Sequence, residues 1–124
     1  MLVDDDPLMH RLYQPHIERA GYEMVGAMDG GEAVQLARRE PPLVVVMDMM
    51  MPEVDGLAAM LALKKAQTTK DIPVILISAN PQCYGYQRQF EAVGAEAFLS
   101  KPFSPARLLA EIRRLDPQAN LRPG

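Results

Sequence analysis

Short apolar runs alternate along the chain with longer amphipathic stretches, and this alternation predicts the fold class. The apolar runs cover Met1–Val3, Tyr22–Met28, Leu43–Met47, Ile72–Ile77 and Ala95–Leu99. Three of them are rich in β-branched residues and are bounded by turn or charged residues, so we interpret all five as strands. The third and fourth runs are apolar without alternation, which is typical of strands that are buried on both faces of a parallel sheet.

The stretches between these runs carry helix signals. Asp6 followed by Pro7 resembles an N-cap with proline at the first helical position, and Gly21 would end that helix. The later helices are marked by the capping-box pair Asp29 and Glu32, by Asp55-Gly56, by Tyr86, Phe90 and Val93 at helical spacing, and by Ser104-Pro105. The strand–helix alternation predicts an α/β fold, a doubly wound, five-stranded parallel sheet with helices on both faces.

Two features depart from an ideal version of this fold. Pro15 lies inside the first predicted helix, where it removes a backbone donor and should kink the helix. The first strand has only Met1–Val3, about 10 Å of extended chain, so we expect further residues before Met1. We assign residues 1–116 to one domain. Residues 117–124 form a tail that is expected to fray or to lead to another domain.

Composition narrows the function classes. The net charge of −3 argues against direct nucleic-acid binding, which needs clustered basic residues. Cys83 is the single cysteine, so no internal disulfide can form, as is usual in a reducing compartment. No apolar run approaches the roughly 20 residues of a membrane span, and Asp4–Asp6 interrupt any signal peptide. We expect a cytoplasmic protein with no membrane contact.

Polar residues follow four of the five predicted strands. Asp4, Asp5 and Asp6 follow the first, Asp48 the third, Ser78 the fourth and Lys101 the fifth. Ligands of open α/β sheets bind beyond the carboxyl ends of the strands, so these groups should converge. Clustered carboxylates repel one another unless a cation lies among them, and Mg²⁺ prefers such oxygen ligands. A carboxylate beside Mg²⁺, an ammonium and a hydroxyl has the groups required for phosphoryl transfer through an acyl phosphate.

Four segments together resemble the receiver domain of two-component response regulators. They are Val3–Pro7, Val46–Gly56, Ile72–Ala79 and the stretch from Gly94-Ala95 to Lys101-Pro102-Phe103. Each is weakly specific alone, but they cover nearly the whole chain in the correct order. The resemblance implies the flavodoxin-like strand order 2-1-3-4-5.

The resemblance also implies a role for each matching residue. Asp48 would be the phosphoacceptor, assisted by Ser78 and Lys101. Mg²⁺ would be bound by Asp5 and Asp48, by the backbone carbonyl of Met50, and with support from Asp4. Phe98 matches an aromatic switch position that acts together with Ser78, and the bond between Lys101 and Pro102 would be cis.

Such a domain would receive its phosphoryl group from a sensor histidine kinase or a phosphotransfer protein. It would catalyse its own phosphorylation and dephosphorylation, so it is not an enzyme in the ordinary sense. The face formed by the fourth helix, fifth strand and fifth helix would change shape and could support a homodimer. Phe98 lacks the hydroxyl of tyrosine, so any switch there would work by packing. The stretch from residue 81 to residue 86, which includes Gly85, is unusual for a helix and is expected to be irregular.

Two alternatives remain open. One is a receiver that has lost phosphorylation and acts only as a protein-interaction module. The other is a small Mg²⁺-dependent phosphohydrolase with an aspartate nucleophile, although Met50 stands where its Asp-x-Asp motif would require an acid. His10 is expected to face solvent. Neither it nor His16 has partners at a metal-ligand spacing.

Overall fold

A computed structural model of the chain describes residues 1–49, 56–79, 87–92 and 94–117. Its strands are β1 (Leu2–Val3), β2 (Gly26–Ala27), β3 (Val45–Asp48), β4 (Val74–Ser78) and β5 (Ala97–Ser100). They form one parallel sheet in the order β2-β1-β3-β4-β5. The predicted strand order and fold class are confirmed.

The helices are α1 (Pro7–Arg19), α2 (Gly30–Arg39), α3 (Gly56–Lys65), α4 (Gln87–Ala92) and α5 (Pro105–Leu115). Three predicted N-caps are confirmed, because the side chains of Asp6, Asp29 and Ser104 accept backbone N–H groups of α1, α2 and α5. The capping box at α2 is only half formed. The carboxylate of Glu32 accepts from the N–H of Met28 at 3.3 Å, not from that of the cap residue.

Helix α1 continues through Pro15 as one helix of 13 residues, and Pro15 itself is exposed. The predicted end is confirmed, because Gly21 follows the C-cap with a φ of 95°, a conformation that glycine adopts without steric cost. The prediction for residues 81–86 lies outside the described residues, as do Tyr86 and Val93.

Strand β2 is much shorter than the predicted run Tyr22–Met28. Among the described strands it lies at the edge of the sheet and pairs with β1, through Leu2 with Gly26 and Val3 with Ala27. Since β1 contributes two residues to the sheet, it offers two positions for pairing. The number of paired residues in β2 is therefore set by β1, and the sequence of β2 alone does not reveal it.

Two apolar clusters cover the two faces of the sheet. Alternate residues of β4 separate between them, with Val74 and Leu76 on one side and Ile75 and Ile77 on the other. The first cluster includes residues of α2 and α3, and the second includes residues of α1 and α5. Because both faces of β3 and β4 are buried, these strands lack the polar alternation of a one-sided sheet.

The pairing register brings the carboxyl ends of the central strands to one edge. Asp48 pairs with Ile77, and Ser78 pairs with Ser100 directly before Lys101. Val3 pairs with Met47, so the residues after β1 and β3 also end side by side. This register places the polar residues that follow four strands in one region. No helix among the described segments is long and apolar enough to cross a membrane.

The α-amino group of Met1 lies at the opposite edge. It donates to the carbonyl of Val44 at 2.8 Å, and desolvation by burial lowers the pKa of this ammonium from 8.0 to about 6. Between pH 6 and 8 the folded chain holds the group neutral, whereas the unfolded chain holds it protonated. The unfolded state therefore binds more protons in this window.

We predict that the free energy of unfolding of the 124-residue chain rises from pH 6 to pH 8, by up to about 2–3 kcal/mol from this group. Urea denaturation across this pH range measures the rise. The same chain acetylated at Met1 is the control, because it cannot titrate there and should show a smaller slope. Equal slopes for the two forms would contradict the assignment.

Candidate functional site

Lys101 joins two buried carboxylates that come from different strands. Its Nζ donates to Asp4 Oδ2 at 2.9 Å and to Asp48 Oδ2 at 3.3 Å. The side chain of Asp4 is fully buried and that of Asp48 nearly so. The ion pairs thus connect the ends of β1, β3 and β5 through one cation. Such a cluster is stable only because the negative charges have a nearby partner.

Burial acts against the charged form of Lys101, but hydrogen bonds and attraction from Asp4 and Asp48 outweigh it. The pKa of the Lys101 ammonium is therefore raised above its usual value. The group stays protonated at neutral pH. It is a fixed positive charge beside the two carboxylates.

Asp4 is held from several directions. Its backbone N–H donates to the carbonyl of Ala27 at 3.1 Å, and its Oδ1 accepts from the N–H of Asp6 at 2.9 Å. Asp5 is exposed next to it, at the surface of the site. One carboxylate oxygen from each of Asp4, Asp5 and Asp48 lies within 4.8 Å of the others. The predicted acidic residues are thus brought together, while Asp6 caps α1 instead.

Three carboxylates at this separation fit a hard divalent cation. Oxygen ligands are what Mg²⁺ and Ca²⁺ prefer, and Mg²⁺ commonly keeps several waters beside one or two carboxylates. The exposed Asp5 gives such an ion access from solvent. The cluster could therefore bind a metal. The backbone carbonyl of Met50, the fourth predicted ligand, lies outside the described residues.

Ser78 ends β4 in the same region and is buried. Its carbonyl accepts the backbone N–H of Lys101 at 2.8 Å, so β4 fixes where the Lys101 loop departs. The Lys101-Pro102 bond is cis, in agreement with the resemblance. The residues that carry the predicted hydroxyl and ammonium are therefore joined by a backbone hydrogen bond.

Gly56 lies directly against the backbone of Asp48. A Cβ added at Gly56 would lie 2.8 Å from the carbonyl carbon of Asp48, and the Gly56 N–H donates to the carbonyl of Met49 at 3.2 Å. Any side chain there would push on the strand end that carries Asp48. The sequence marked Gly56 only as a helix start, so this close approach was missed.

Phe98, the predicted switch residue, is half-buried on β5. Its ring stacks on Phe90 of α4 with centroids 5.9 Å apart and an interplanar angle of 14°. Both rings pack against the cluster that includes residues of α2 and α3. The position thus connects β5 to α4, while a role in switching stays a prediction.

Two residues of α1 contact the site and were not predicted to do so. His10 was expected to face solvent, and this expectation is wrong. The ring is half-buried, and its Nε2 lies 2.8 Å from the carbonyl oxygen of Asp4. Tyr13 donates its O–H to the carbonyl of Phe103 at 2.6 Å. The helical pattern could place Tyr13 on the buried face, but no sequence signal identifies partners so distant along the chain.

Comparison with known proteins places the chain among signalling proteins. Residues 1–113 match the family model described as the response regulator receiver domain. The chain is 35% identical over 115 residues to the DNA-binding dual master transcriptional regulator RpaA of Synechocystis, with 93% of this chain and 47% of that protein covered. It is 36% identical over 113 residues to the polar-differentiation response regulator DivK of Brucella ovis, with 91% of each covered. The chain thus spans about half the length of some curated relatives and nearly all of others.

Solved structures agree. The receiver domain of the Francisella response regulator 1452 superposes with a TM-score of 0.82 at 30% identity, covering 92% of each chain. The receiver domain of the sensor histidine kinase PA1611 of Pseudomonas aeruginosa has a TM-score of 0.81 at 27% identity, covering 92% of this chain and 93% of that one. That structure contains a magnesium ion coordinated in the active site cleft.

We predict that Lys101→Met lowers the free energy of unfolding by about 2 kcal/mol in metal-free buffer at pH 7, because two buried carboxylates lose their cation. Added Mg²⁺ should recover part of this loss. Lys64→Met is a matched control, since Lys64 pairs with Glu96 at 2.6 Å, away from the acidic cluster. Its loss should be the same with and without Mg²⁺. Chemical denaturation measures the loss for each variant with and without Mg²⁺. A Lys101→Met loss that is the same in both conditions would contradict the prediction.

Proposed function

Because the chain belongs to the response-regulator receiver family, we propose that it accepts a phosphoryl group on Asp48 from a phosphohistidine. The donor is a sensor histidine kinase or a phosphotransfer protein. The observation that carries the proposal is the Lys101 ammonium, which lies 2.9 Å from Asp4 and 3.3 Å from Asp48. A cation fixed beside a carboxylate nucleophile offsets charge on an incoming phosphoryl group.

In the proposed reaction an oxygen of the Asp48 carboxylate attacks phosphorus. The bond from phosphorus to the histidine nitrogen breaks, and the electron pair returns to the imidazole. The product is an acyl phosphate on Asp48. Lys101 neutralises charge on the phosphoryl oxygens, and the hydroxyl of Ser78 donates a hydrogen bond to one of them. Hydrolysis of the acyl phosphate by water later restores the carboxylate, so the domain both gains and loses the group without acting on a separate substrate.

Asp5 and Asp48 would hold a Mg²⁺ ion, with Asp4 in support and the backbone carbonyl of Met50 as a further ligand. When bound, the ion supplies positive charge to the phosphoryl oxygens in the transition state. The three carboxylate oxygens within 4.8 Å support this assignment. Exposure of Asp5 supports exchange of the ion with solvent.

The response to phosphorylation is proposed to travel through Ser78 and Phe98. When the hydroxyl of Ser78 moves towards the phosphoryl group, space opens for the Phe98 ring to turn inward. Its stacking partner Phe90 lies on α4, so the face formed by α4, β5 and α5 would change shape. Such a face could support a homodimer or another partner. Because Phe98 has no hydroxyl, its two positions differ in packing alone.

The phosphodonor is proposed to dock on the outer face of α1. Leu8 and Leu12 are four residues apart on this helix, and their exposed fractions are 62% and 54%. Two exposed leucines one turn apart, on the helix that begins after the acidic residues, suit an apolar partner surface. Docking there would bring a phosphohistidine towards Asp5 and Asp48. We place this encounter in the cytoplasm, where histidine kinases present their phosphorylated domains.

We predict that Mg²⁺ and phosphoramidate add one phosphoryl group, about 80 Da, to the wild-type chain. Asp48→Asn should abolish the adduct, because an amide is not a nucleophile for this step. Intact-mass spectrometry gives the readout, with Asp71→Asn as the control at an acid far from the cluster. Wild-type protein without any adduct would favour the pure interaction module. Repeated hydrolysis of phosphate esters would favour the phosphohydrolase.

We also predict that Leu12→Glu slows phosphoryl transfer from a histidine-phosphorylated phosphotransfer protein of the same organism by about tenfold, a loss of roughly 1.4 kcal/mol. The reaction with phosphoramidate should be unchanged, since it needs no docking surface. Leu43→Glu is the matched control, because Leu43 is 43% exposed at the opposite end of the sheet. Equal rates for both variants with the protein donor would refute docking on α1.

A further inference from the structure

The inner face of α1 contacts both the turn that carries Asp4 and the loop that carries Lys101. His10 reaches the carbonyl of Asp4, and Tyr13 reaches the carbonyl of Phe103, two residues beyond Lys101. The two side chains are three residues apart and therefore lie on the same side of the helix. We propose that His10 and Tyr13 are positioning residues that fix the separation of Asp4 and Lys101. This inference deepens the proposed function and rests on it.

The His10 contact defines which ring nitrogen carries hydrogen. A carbonyl oxygen can only accept, so Nε2, 2.8 Å from the Asp4 carbonyl, must be the donor. The carboxylate of Asp4 already accepts from Lys101 and from the Asp6 N–H, and its own N–H donates to Ala27. The His10 bond therefore anchors the remaining polar group of Asp4, its backbone carbonyl oxygen.

Gly26 makes room for the His10 ring. A Cβ added at Gly26 would lie 2.9 Å from Nδ1 and 3.2 Å from Cε1 of the ring. The ring therefore lies against β2 next to Ala27, whose carbonyl accepts the N–H of Asp4. His10 thus connects α1, the edge strand and the acidic turn. This explains why a small residue stands at a strand position where β-branched residues are otherwise favoured.

Tyr13 restrains the loop that carries Lys101 in a corresponding way. Its O–H donates to the carbonyl of Phe103 at 2.6 Å, and its ring stacks on that of Phe103 with centroids 5.1 Å apart and an interplanar angle of 23°. Desolvation raises the pKa of the Tyr13 hydroxyl and the charge of Lys101 opposes this rise, so the phenol remains a neutral donor. One polar bond and one ring contact together restrain the loop that carries Lys101.

The geometry assigns different consequences to the two contacts. Loss of the His10 donor frees the turn that carries Asp4 and Asp5, so it should weaken Mg²⁺ binding. Loss of the Tyr13 hydroxyl frees the Lys101 loop, so it should slow phosphoryl transfer while Mg²⁺ affinity is kept. A merely structural role would lower stability in both variants without separating these two quantities.

The test uses His10→Leu, His10→Gln and Tyr13→Phe in the full chain. We expect His10→Leu to weaken Mg²⁺ binding about tenfold, the lower end for residues that orient metal ligands. His10→Gln keeps an N–H donor and should recover most of the affinity. Tyr13→Phe should leave Mg²⁺ affinity unchanged but lower the phosphorylation rate with phosphoramidate at saturating Mg²⁺ about threefold to tenfold. Calorimetric titration with Mg²⁺ and intact-mass time courses give the readouts.

Two matched controls separate positioning from general stability. Tyr22→Phe removes a hydroxyl that donates to Asp116 at 2.9 Å, and His16→Leu removes an imidazole from the same helix. Neither should change Mg²⁺ affinity or the phosphorylation rate. The inference would be overturned if Tyr22→Phe lowered the phosphorylation rate as much as Tyr13→Phe does. It would also be overturned if His10→Gln bound Mg²⁺ as weakly as His10→Leu.

Failure of the proposed function gives a different result. Wild-type protein would then give no stable phosphoryl adduct with phosphoramidate and Mg²⁺. Amide NMR shifts would still test positioning, because His10→Leu should displace the signals of Asp4–Asp6 and Tyr13→Phe those of Lys101, Phe103 and Ser104. His10→Gln should restore the signals of Asp4–Asp6. Shifts spread evenly over α1 instead would overturn the inference.

Discussion

The ion pairs of Lys101 with Asp4 and Asp48 are the interaction on which the rest of the structure depends. Two carboxylates buried at the ends of adjacent strands would repel each other, and burial would make that repulsion strong. The Lys101 ammonium offsets this repulsion, because its Nζ lies 2.9 Å from Asp4 Oδ2 and 3.3 Å from Asp48 Oδ2. Several features of this edge, within the described part of the chain, help to bring these three groups together. The pairing register aligns the strand ends, Gly56 allows α3 to approach Asp48, and α1 contacts the turns on either side.

Much of this arrangement could be predicted from the sequence. Apolar runs identified the strands because both sheet faces are buried, and Asp6 and Ser104 identified helix starts because a cap needs only a few adjacent residues. Asp4, Asp5, Asp48, Ser78 and Lys101 were found as residues that follow strands. Position after a strand is a local property, and the parallel sheet converts it into proximity in space.

The missed features depend on contacts between distant parts of the chain. His10 was assigned to solvent, but its partner is a backbone carbonyl, and any residue offers one. Tyr13 and Phe103 are 90 positions apart. The short β2 follows from its short partner β1, not from its own apolar residues. In each case the deciding property belongs to the second partner, which local periodicity does not describe.

The charge of the cation that would neutralise the site follows from the same ion pairs. Asp4, Asp5 and Asp48 with Lys101 carry a formal charge of −2, taking each carboxylate as ionised. One divalent cation brings these four groups to electrical neutrality, whereas one monovalent cation leaves a negative charge. An anionic donor would meet a neutral pocket in the first case and a repelling pocket in the second. The Lys101 ammonium is thus the charge that makes one divalent ion sufficient for neutrality, since without it one divalent ion would fall one charge short.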